Sequence, residues 1–352
     1  MYIKLKYKKL DLISKIMYNN YGFRTEEIMK LLIDTQGGDN APKAMLMAVQ
    51  KAKAEDSSLD FVMFGDRKEI EEHLGADAAN YEIVQTEDLI TNEDEAALSI
   101  RKKNKASIVL ASKYLVENDD ADAFISSGST GALLAAAMLI VKRIDGFKRA
   151  SIPTFLPGIK GPTLLLDSGA NVDCEPEFIY EFAKLGSKYV EKLLGIERPK
   201  IALVSNGAEA KKGNELTKKA HEILKNSELN FIGNIEANEV LTTEADIIVQ
   251  DGFVGNVILK ELEGASKVFV GSIKNFIMKD EKYFSSDEMK MSFLKDVMSL
   301  MGLTKYGGSP VLGVNKAIIK AHGNSDEKAF YLAIRNTVDF VNSGVIEYLK
   351  EN

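Results

Sequence analysis

The chain has 352 residues, is 45% apolar, carries a formal net charge of −7 and contains one cysteine, Cys174. That length and apolar content allow one large or two smaller α/β domains with a full core. The acidic balance argues against general nucleic-acid binding, one thiol forbids an intrachain disulfide or CxxC metal site, and no run reaches the roughly 18 apolar residues of a spanning helix.

Residues 1–28 hold six basic and three acidic side chains, without the apolar core and cleavage site of a secretory signal. MKLLIDTQGGD from Met29 reads as a first core strand, so 1–28 are taken as an upstream extension and 29–352 as one catalytic domain. A helix is expected from Ala41, with Pro42 in its first turn. Strands at 61–65 and 81–84 flank a helix at 67–74, and 93–116 reads as largely helical. A strand then runs into the turn at 126–131, followed by an apolar helix at 132–141. Residues 152–162 read as a loop with three of the seven prolines. Helices are expected at 176–192 and 216–224, and strands at 163–167, 201–204, 231–235 and 246–250. Helical pattern covers 257–278 and 286–302, before a last strand region at 311–321 and a closing helix at 326–351.

Five of these strands end alike. Residues 31–40, 123–132, 163–173, 201–215 and 246–256 each pass from an apolar run into a polar, glycine-bearing turn and then helix. Short β-branched runs alternating with helices favour a parallel sheet. Ligands bind outside the carboxyl ends of such strands, so all five turns are expected on one shared edge.

Gly128, Ser129, Thr130 and Gly131 offer bare amides, hydroxyls and a helix start to a phosphate or carboxylate; they equally suit an N-capped αβ connection. The turn has neither GK[ST] nor GxGxxG, so a dinucleotide site is not supported. Lys212, in Lys211-Lys212-Gly213-Asn214, could neutralise a phosphate or a developing oxyanion, or belong to a solvated pair. Asn256 in DGFVGN could hold a phosphate or thioester oxygen, or cap a helix. Asp167, Asn171 and Asp173 are too few for a metal and read better as hydrogen-bonded crevice floor. Cys174 could accept an acyl group but, with no histidine nearby in sequence, reads as a packed residue. His73 and His221 read as helix-surface residues and His322, after the last strand, as a structural hydrogen-bonder.

In order, DTQGGDNAPKA (34–44), RKKNKAS (101–107), SSGSTGA (126–132), LDSGANVDCEPE (166–177), KKGNEL (211–216), FIGNIEA (231–237), DGFVGNVILK (251–260), YGGSPVLGV (306–314) and KAHGNSD (320–326) form a specific set. From Met29 onward the chain resembles the phosphate acyltransferases of bacterial phospholipid synthesis; residues 1–28 lie outside that pattern. Thr35-Gln36, Ser127 and Ser129 depart from the family's usual residues but keep small or polar character. The resemblance implies a three-layer α/β/α fold with a largely parallel sheet, similar to isopropylmalate and isocitrate dehydrogenases and phosphate acetyltransferases. It also implies transfer of a fatty acyl group from acyl carrier protein to inorganic phosphate, with Lys212 and Asn256 closest to catalysis and no metal or bound cofactor. Gly128, Ser129, Thr130, Gly131, Asp167, Asn171 and Asn214 would surround the phosphate and thioester. A homodimer, peripheral attachment to the cytoplasmic face of the membrane and a downstream glycerol-3-phosphate acyltransferase are further implications.

An acidic carrier protein needs a basic landing surface. Arg101, Lys102, Lys103 and Lys105 are the candidates, against a merely solvated helix face. The 258–302 stretch is amphipathic, and its tip, with Phe293, Leu294, Val297 and Met298, could lie in lipid headgroups or pack across a dimer. Two other readings are a hydroxy-acid dehydrogenase of similar fold, which lacks its Arg-rich substrate motif here, and a membrane-docked scaffold for lipid-synthesis enzymes.

Overall fold

A computed structural model describes residues 28–279, 284, 286–300 and 307–351. Its strands are β1 (Met29–Asp34), β2 (Leu59–Gly65), β3 (Glu82–Gln85), β4 (Ala121–Ser126), β5 (Thr154–Leu156), β6 (Thr163–Leu166), β7 (Ile201–Val204), β8 (Phe231–Ile235), β9 (Ile247–Val249), β10 (Gly308–Pro310) and β11 (Ala317–Ala321). The helices are α1 (Lys43–Glu55), α2 (Arg67–Leu74), α3 (Ala96–Lys102), α4 (Ser107–Glu117), α5 (Thr130–Ala136), α6 (Pro176–Leu194), α7 (Glu215–Lys225), α8 (Gly252–Lys279), α9 (Asp287–Leu300), α10 (Glu327–Asn342) and α11 (Val345–Glu351).

The strands divide between two sheets, not one. The first runs β10-β11-β4-β1-β2-β3 and the second β5-β6-β9-β7-β8. Each is parallel except for one antiparallel edge strand, β10 beside β11 and β5 beside β6. Pro310 lies in one edge strand, and Pro153 and Pro157 flank the other. Proline lacks the N–H that a central ladder needs, so edges are where it is tolerated. Strand β5 falls inside the segment expected to be a loop.

Strand alternation builds the core. Leu31 and Ile33 of β1, Ile319 of β11, Leu164 and Leu166 of β6 and Ile247 of β9 point into one continuous cluster with Met45 of α1, Phe182 of α6 and Phe330 of α10. Helices α1, α6 and α10 thus join the two sheets. The opposite faces go separate ways: Leu32, Val62 and Phe124 pack with α4 and α5 residues, and Leu165, Ala202 and Ile248 pack with Ile258 of α8. Phe182 and Phe330 are fully buried, each contributing about 2–3 kcal/mol of transfer free energy.

Several boundaries differ from the sequence reading. Pro42 follows a cis Ala41–Pro42 bond and is the N-cap of α1, not a residue of its first turn. The expected helix over 93–116 is two helices, broken after Lys102. The closing helix also breaks, at Gly344, whose φ of +63° suits a residue without a Cβ.

Candidate active site

The five glycine-bearing turns are shared out two and three between the sheets. On the first edge, Asp34 is fully buried where β1 ends. Its Oδ1 accepts from the Gln36 and Gly37 amides at 3.0 and 3.1 Å, and its Oδ2 from Ser126 Oγ at 2.6 Å. Ser126 Oγ accepts in turn from the Gly128 amide at 3.0 Å. A Cβ on Gly37 would lie 2.5 Å from the Gly128 nitrogen, so glycine is required for these turns to touch.

The turn after β11 closes on the same place. Asp39 N donates to Gly323 O at 2.7 Å, and Asn40 Nδ2 to Asn324 O and Ser325 O, both at 3.2 Å. Lys320, near the end of β11, donates from Nζ to Ser127 O at 3.5 Å and to Ala321 O. Burial pulls its ammonium down to about 8, with Asp34 opposing and Lys260 adding to the effect. The His322 ring is solvent-accessible, yet desolvation on its protein-facing side holds it below the usual imidazole value. Ser129 caps α5, accepting from Ala132 N at 3.5 Å. Among the described residues the amides of Ser129, Thr130 and Gly131 have no protein acceptor.

The second edge centres on Asp167, which is fully buried just past β6. It accepts from the amides of Ile152 (3.0 Å), Gly169 (3.3 Å), Ala170 (3.0 Å) and Asn171 (2.7 Å), and from Asn171 Nδ2 (3.0 Å). Burial pushes this carboxyl up, and those donors pull it back; every partner is a donor, the arrangement a carboxylate needs. Asn171 Nδ2 also donates to Ala150 O at 2.8 Å, so both residues are spent on shaping their turn.

Helix α8 starts directly on this turn. A Cβ on Gly255 would lie 1.8 Å from Asp167 O, and one on Gly252 2.7 Å from Asn171 O. Asp251 caps the helix, accepting from Val254 N at 2.8 Å. Asn256 therefore sits inside the helix and not at its cap. Its exposed amide lies over the turn, 3.7 Å (Oδ1) from where a Gly169 Cβ would stand. Lys260 follows four residues later, on the same helical face, and its charge reaches Lys320 and His322. Helix α8 thus carries the second edge across to the first.

Lys212 lies in the turn after β7, its side chain close against Gly207 and its surface exposed. Among the described residues its side chain makes no hydrogen bond or ion pair, leaving the ammonium free for a ligand. Asn214 is the N-cap of α7, accepting from Thr217 N at 2.8 Å and Thr217 Oγ1 at 2.9 Å. The Cys174 thiol is pushed up to about 12 by burial and by Asp167 and Asp251. His221 is buried, with Nδ1 2.8 Å from Asn234 Oδ1, and is not a helix-surface residue. No group of three or more His, Cys, Asp and Glu among the described residues could hold a metal.

The flanking surfaces also sort themselves. Lys103 pairs with Asp94 at 2.7 Å and Lys105 with Glu87. Arg101 and Lys102 make no ion pair among the described residues. In the expected lipid tip Phe293 and Met298 are exposed, Val297 is half-buried, and Leu294 is buried beneath them. No described helix is long and apolar enough to cross a membrane. Residues 1–27, on which the expectation of an N-terminal extension falls, lie outside the described residues.

Sequence reasoning missed Asp34, Ser126 and Lys320. The available signal was Lys320 itself, a charge placed in a strand whose neighbours Ile318 and Ile319 are apolar.

The sequence pattern described as fatty acid synthesis protein matches residues 29–348. A phosphate acyltransferase of Listeria innocua is 40% identical over 328 residues, covering 92% of this chain and 96% of the relative. Another, from Moorella thermoacetica, is 41% identical over 323 residues, covering 91% and 95%. Among solved structures, a phosphotransacetylase from Streptococcus pyogenes superposes with a TM-score of 0.58 at 18% identity, covering 97% of this chain and 99% of that one. A branched-chain phosphotransacylase from Enterococcus faecalis gives 0.55 at 16%, covering 89% and 99%. At such identities the structural likeness establishes the fold alone, α/β with mostly parallel sheets. The sequence likeness goes further: the chain belongs to the fatty acid synthesis protein family, as a relative of its phosphate acyltransferases.

Proposed function

We propose that this protein is an acyltransferase that moves a fatty acyl group from an acyl carrier protein thioester to inorganic phosphate. The observation that carries the reading is the balance of the crevice. Its two central carboxylates, Asp34 and Asp167, are taken up by donors of their own turns and, for Asp34, by Ser126 of β4, while the Lys212 ammonium, the Asn256 side-chain amide and the backbone amides of 129–131 remain free. Such a site receives an anion and stabilises an oxyanion.

In the reaction a phosphate oxygen forms a bond to the thioester carbon, the C–S bond breaks, and sulfur leaves with the electron pair as thiolate. Phosphate already carries an anionic nucleophilic oxygen, so no general base is needed. Lys212 draws the phosphate in and Asn256 donates to the carbonyl oxygen as charge develops. Gly128, Ser129, Thr130 and Gly131 line the phosphate side, Asn214 fixes the Lys212 turn, and Asp167 and Asn171 hold the floor beneath Asn256. Relatives named phosphate acyltransferase support the chemistry.

The carrier protein docks beside α3, on Arg101 and Lys102, with Lys103 and Lys105 largely neutralised by their partners. The exposed Val268, Phe269 and Phe276 of α8 and Phe293 and Met298 of α9 form an apolar projection suited to a homodimer contact and to headgroup insertion. On this reading the enzyme works peripherally at the cytoplasmic membrane face and hands acyl phosphate to a glycerol-3-phosphate acyltransferase. Incubation with acyl carrier protein thioester and phosphate, followed by mass spectrometry, tests the reading. Acyl phosphate is expected; free fatty acid alone would refute it.

A further inference from the structure

We propose that Lys320 binds the phosphate nucleophile directly, as the cation of the first sheet's edge. The inference rests on the phosphate-transfer reading and adds a residue and a division of labour to it.

Lys320 is a half-buried ammonium short of a counter-charge. An ammonium has three donors; two are used on the carbonyls of Ser127 and Ala321, and carbonyls carry no charge. Among the described residues no carboxylate lies within ion-pair distance of Nζ. The nearest negative group, Asp34, acts through space, and its oxygens are occupied by Gln36, Gly37 and Ser126. The surroundings add positive charge. Lys260 faces Lys320 from α8, and His322 and Lys267 flank the same gap, with Glu263 the opposing carboxylate, itself paired to Lys260 at 2.9 Å.

Even partial desolvation of an unpaired cation is costly, and an anion arriving between these two glycine-bearing turns would offset that cost. Ser127 Oγ is also buried beside it without a partner. A phosphate at this point would accept from the third N–H of Lys320. The alternative is a purely structural lysine that ties the β4 and β11 turns together.

Thermal unfolding with and without inorganic phosphate needs no turnover. Phosphate should raise the melting temperature of the wild type and of Lys320→Arg, and at the same concentration raise that of Lys320→Met far less. In turnover, Lys320→Met should raise the KM for phosphate on the order of 10- to 100-fold, the loss expected for a charged hydrogen bond, with the KM for the acyl donor within about twofold. The wild type gives a second arm that requires no folded variant. Inorganic phosphate stays dianionic from about pH 8 to 10, so its affinity should fall about tenfold per pH unit once Lys320 deprotonates above about 8, a fall absent in Lys320→Arg. An unchanged phosphate KM in Lys320→Met, a rise in donor KM alone, or a flat wild-type profile overturns the proposal. Acyl phosphate formed by a wild type that fails these tests sinks Lys320 alone, whereas phosphate stabilisation through Lys320 without acyl phosphate sinks only the wider reading.

Discussion

The two crevice edges are built on one device and put it to different ends. Each has a fully buried aspartate at a strand end, Asp34 or Asp167, whose carboxylate gathers the amides of its own turn. On the first edge the turn frames a half-buried ammonium and unclaimed amides. On the second it becomes a platform on which α8 rests through Gly252 and Gly255, presenting Asn256. The first edge offers open amides and Lys320 to an anion, and the second orients the Asn256 amide beside a second cation, Lys212. A reaction that brings an anion to a polarised carbonyl needs both, in separate places.

Substitutions of the free groups on the second edge have the largest expected effect. Lys212→Ala or Asn256→Ala should each lower kcat on the order of 10²- to 10³-fold, with unfolding unchanged because neither side chain makes a hydrogen bond within the described residues. Activity within about threefold of wild type would end their assignment. Gly255→Ala attacks the platform itself. Its methyl has nowhere to go 1.8 Å from Asp167 O, so α8 must shift, at a cost of about 1–3 kcal/mol. Urea unfolding should show that loss, and phosphate should still raise the melting temperature through the intact first edge.

Asp339 offers a control outside the turns of both edges, in a small cavity of about 50 Å³ lined by β5, β10, β11, α6 and α10. Burial raises its carboxyl to about 6, against the pull of Arg335, and Oδ2 has no partner. Its folded pKa lies above the unfolded value, so its charge costs stability that sets in as pH rises through the unfolded value of about 4 and is complete above about 6. Asp339→Asn should therefore stabilise by about 1 kcal/mol at pH 7, after allowance for partial exposure, and by nothing below about pH 4. Activity should not change. The smallest effect belongs to the flank of the first edge. Arg101→Glu with Lys102→Glu should raise the KM for acyl carrier protein several-fold at low salt, and less at high salt. The same reversal at Lys103 and Lys105, already paired, should do less, and a reversed ranking would move the docking surface elsewhere.

Much of this was legible in the sequence. Strands such as 31–33 and 247–249 are unbroken apolar runs, and the turns that follow them are marked by glycine and polar residues. Their division between two sheets was not, because a buried parallel strand looks the same whichever strand it pairs with. Strand β5 was hidden by its brevity and its flanking prolines. Asn256 was misplaced by one helical turn because Asp251 and Asn256 are both good caps, and only the fit of Gly252 and Gly255 decides between them. Lys320 was overlooked for a different reason: a lysine's burial depends on what the rest of the chain brings to it, here the turns at 126–131 and 321–326.

Cys174 has a consequence for chemical selectivity. With its thiol pushed up to about 12, only about one molecule in 10⁵ carries a thiolate at pH 7. Under the proposed reaction, a thioester donor would put the protein at risk of accepting the acyl group on its own sulfur and stalling as a dead-end conjugate. Here the internal thiol is almost never in the form that could compete with phosphate. The same protonation protects it from alkylating agents and peroxide, so iodoacetamide should leave the enzyme working.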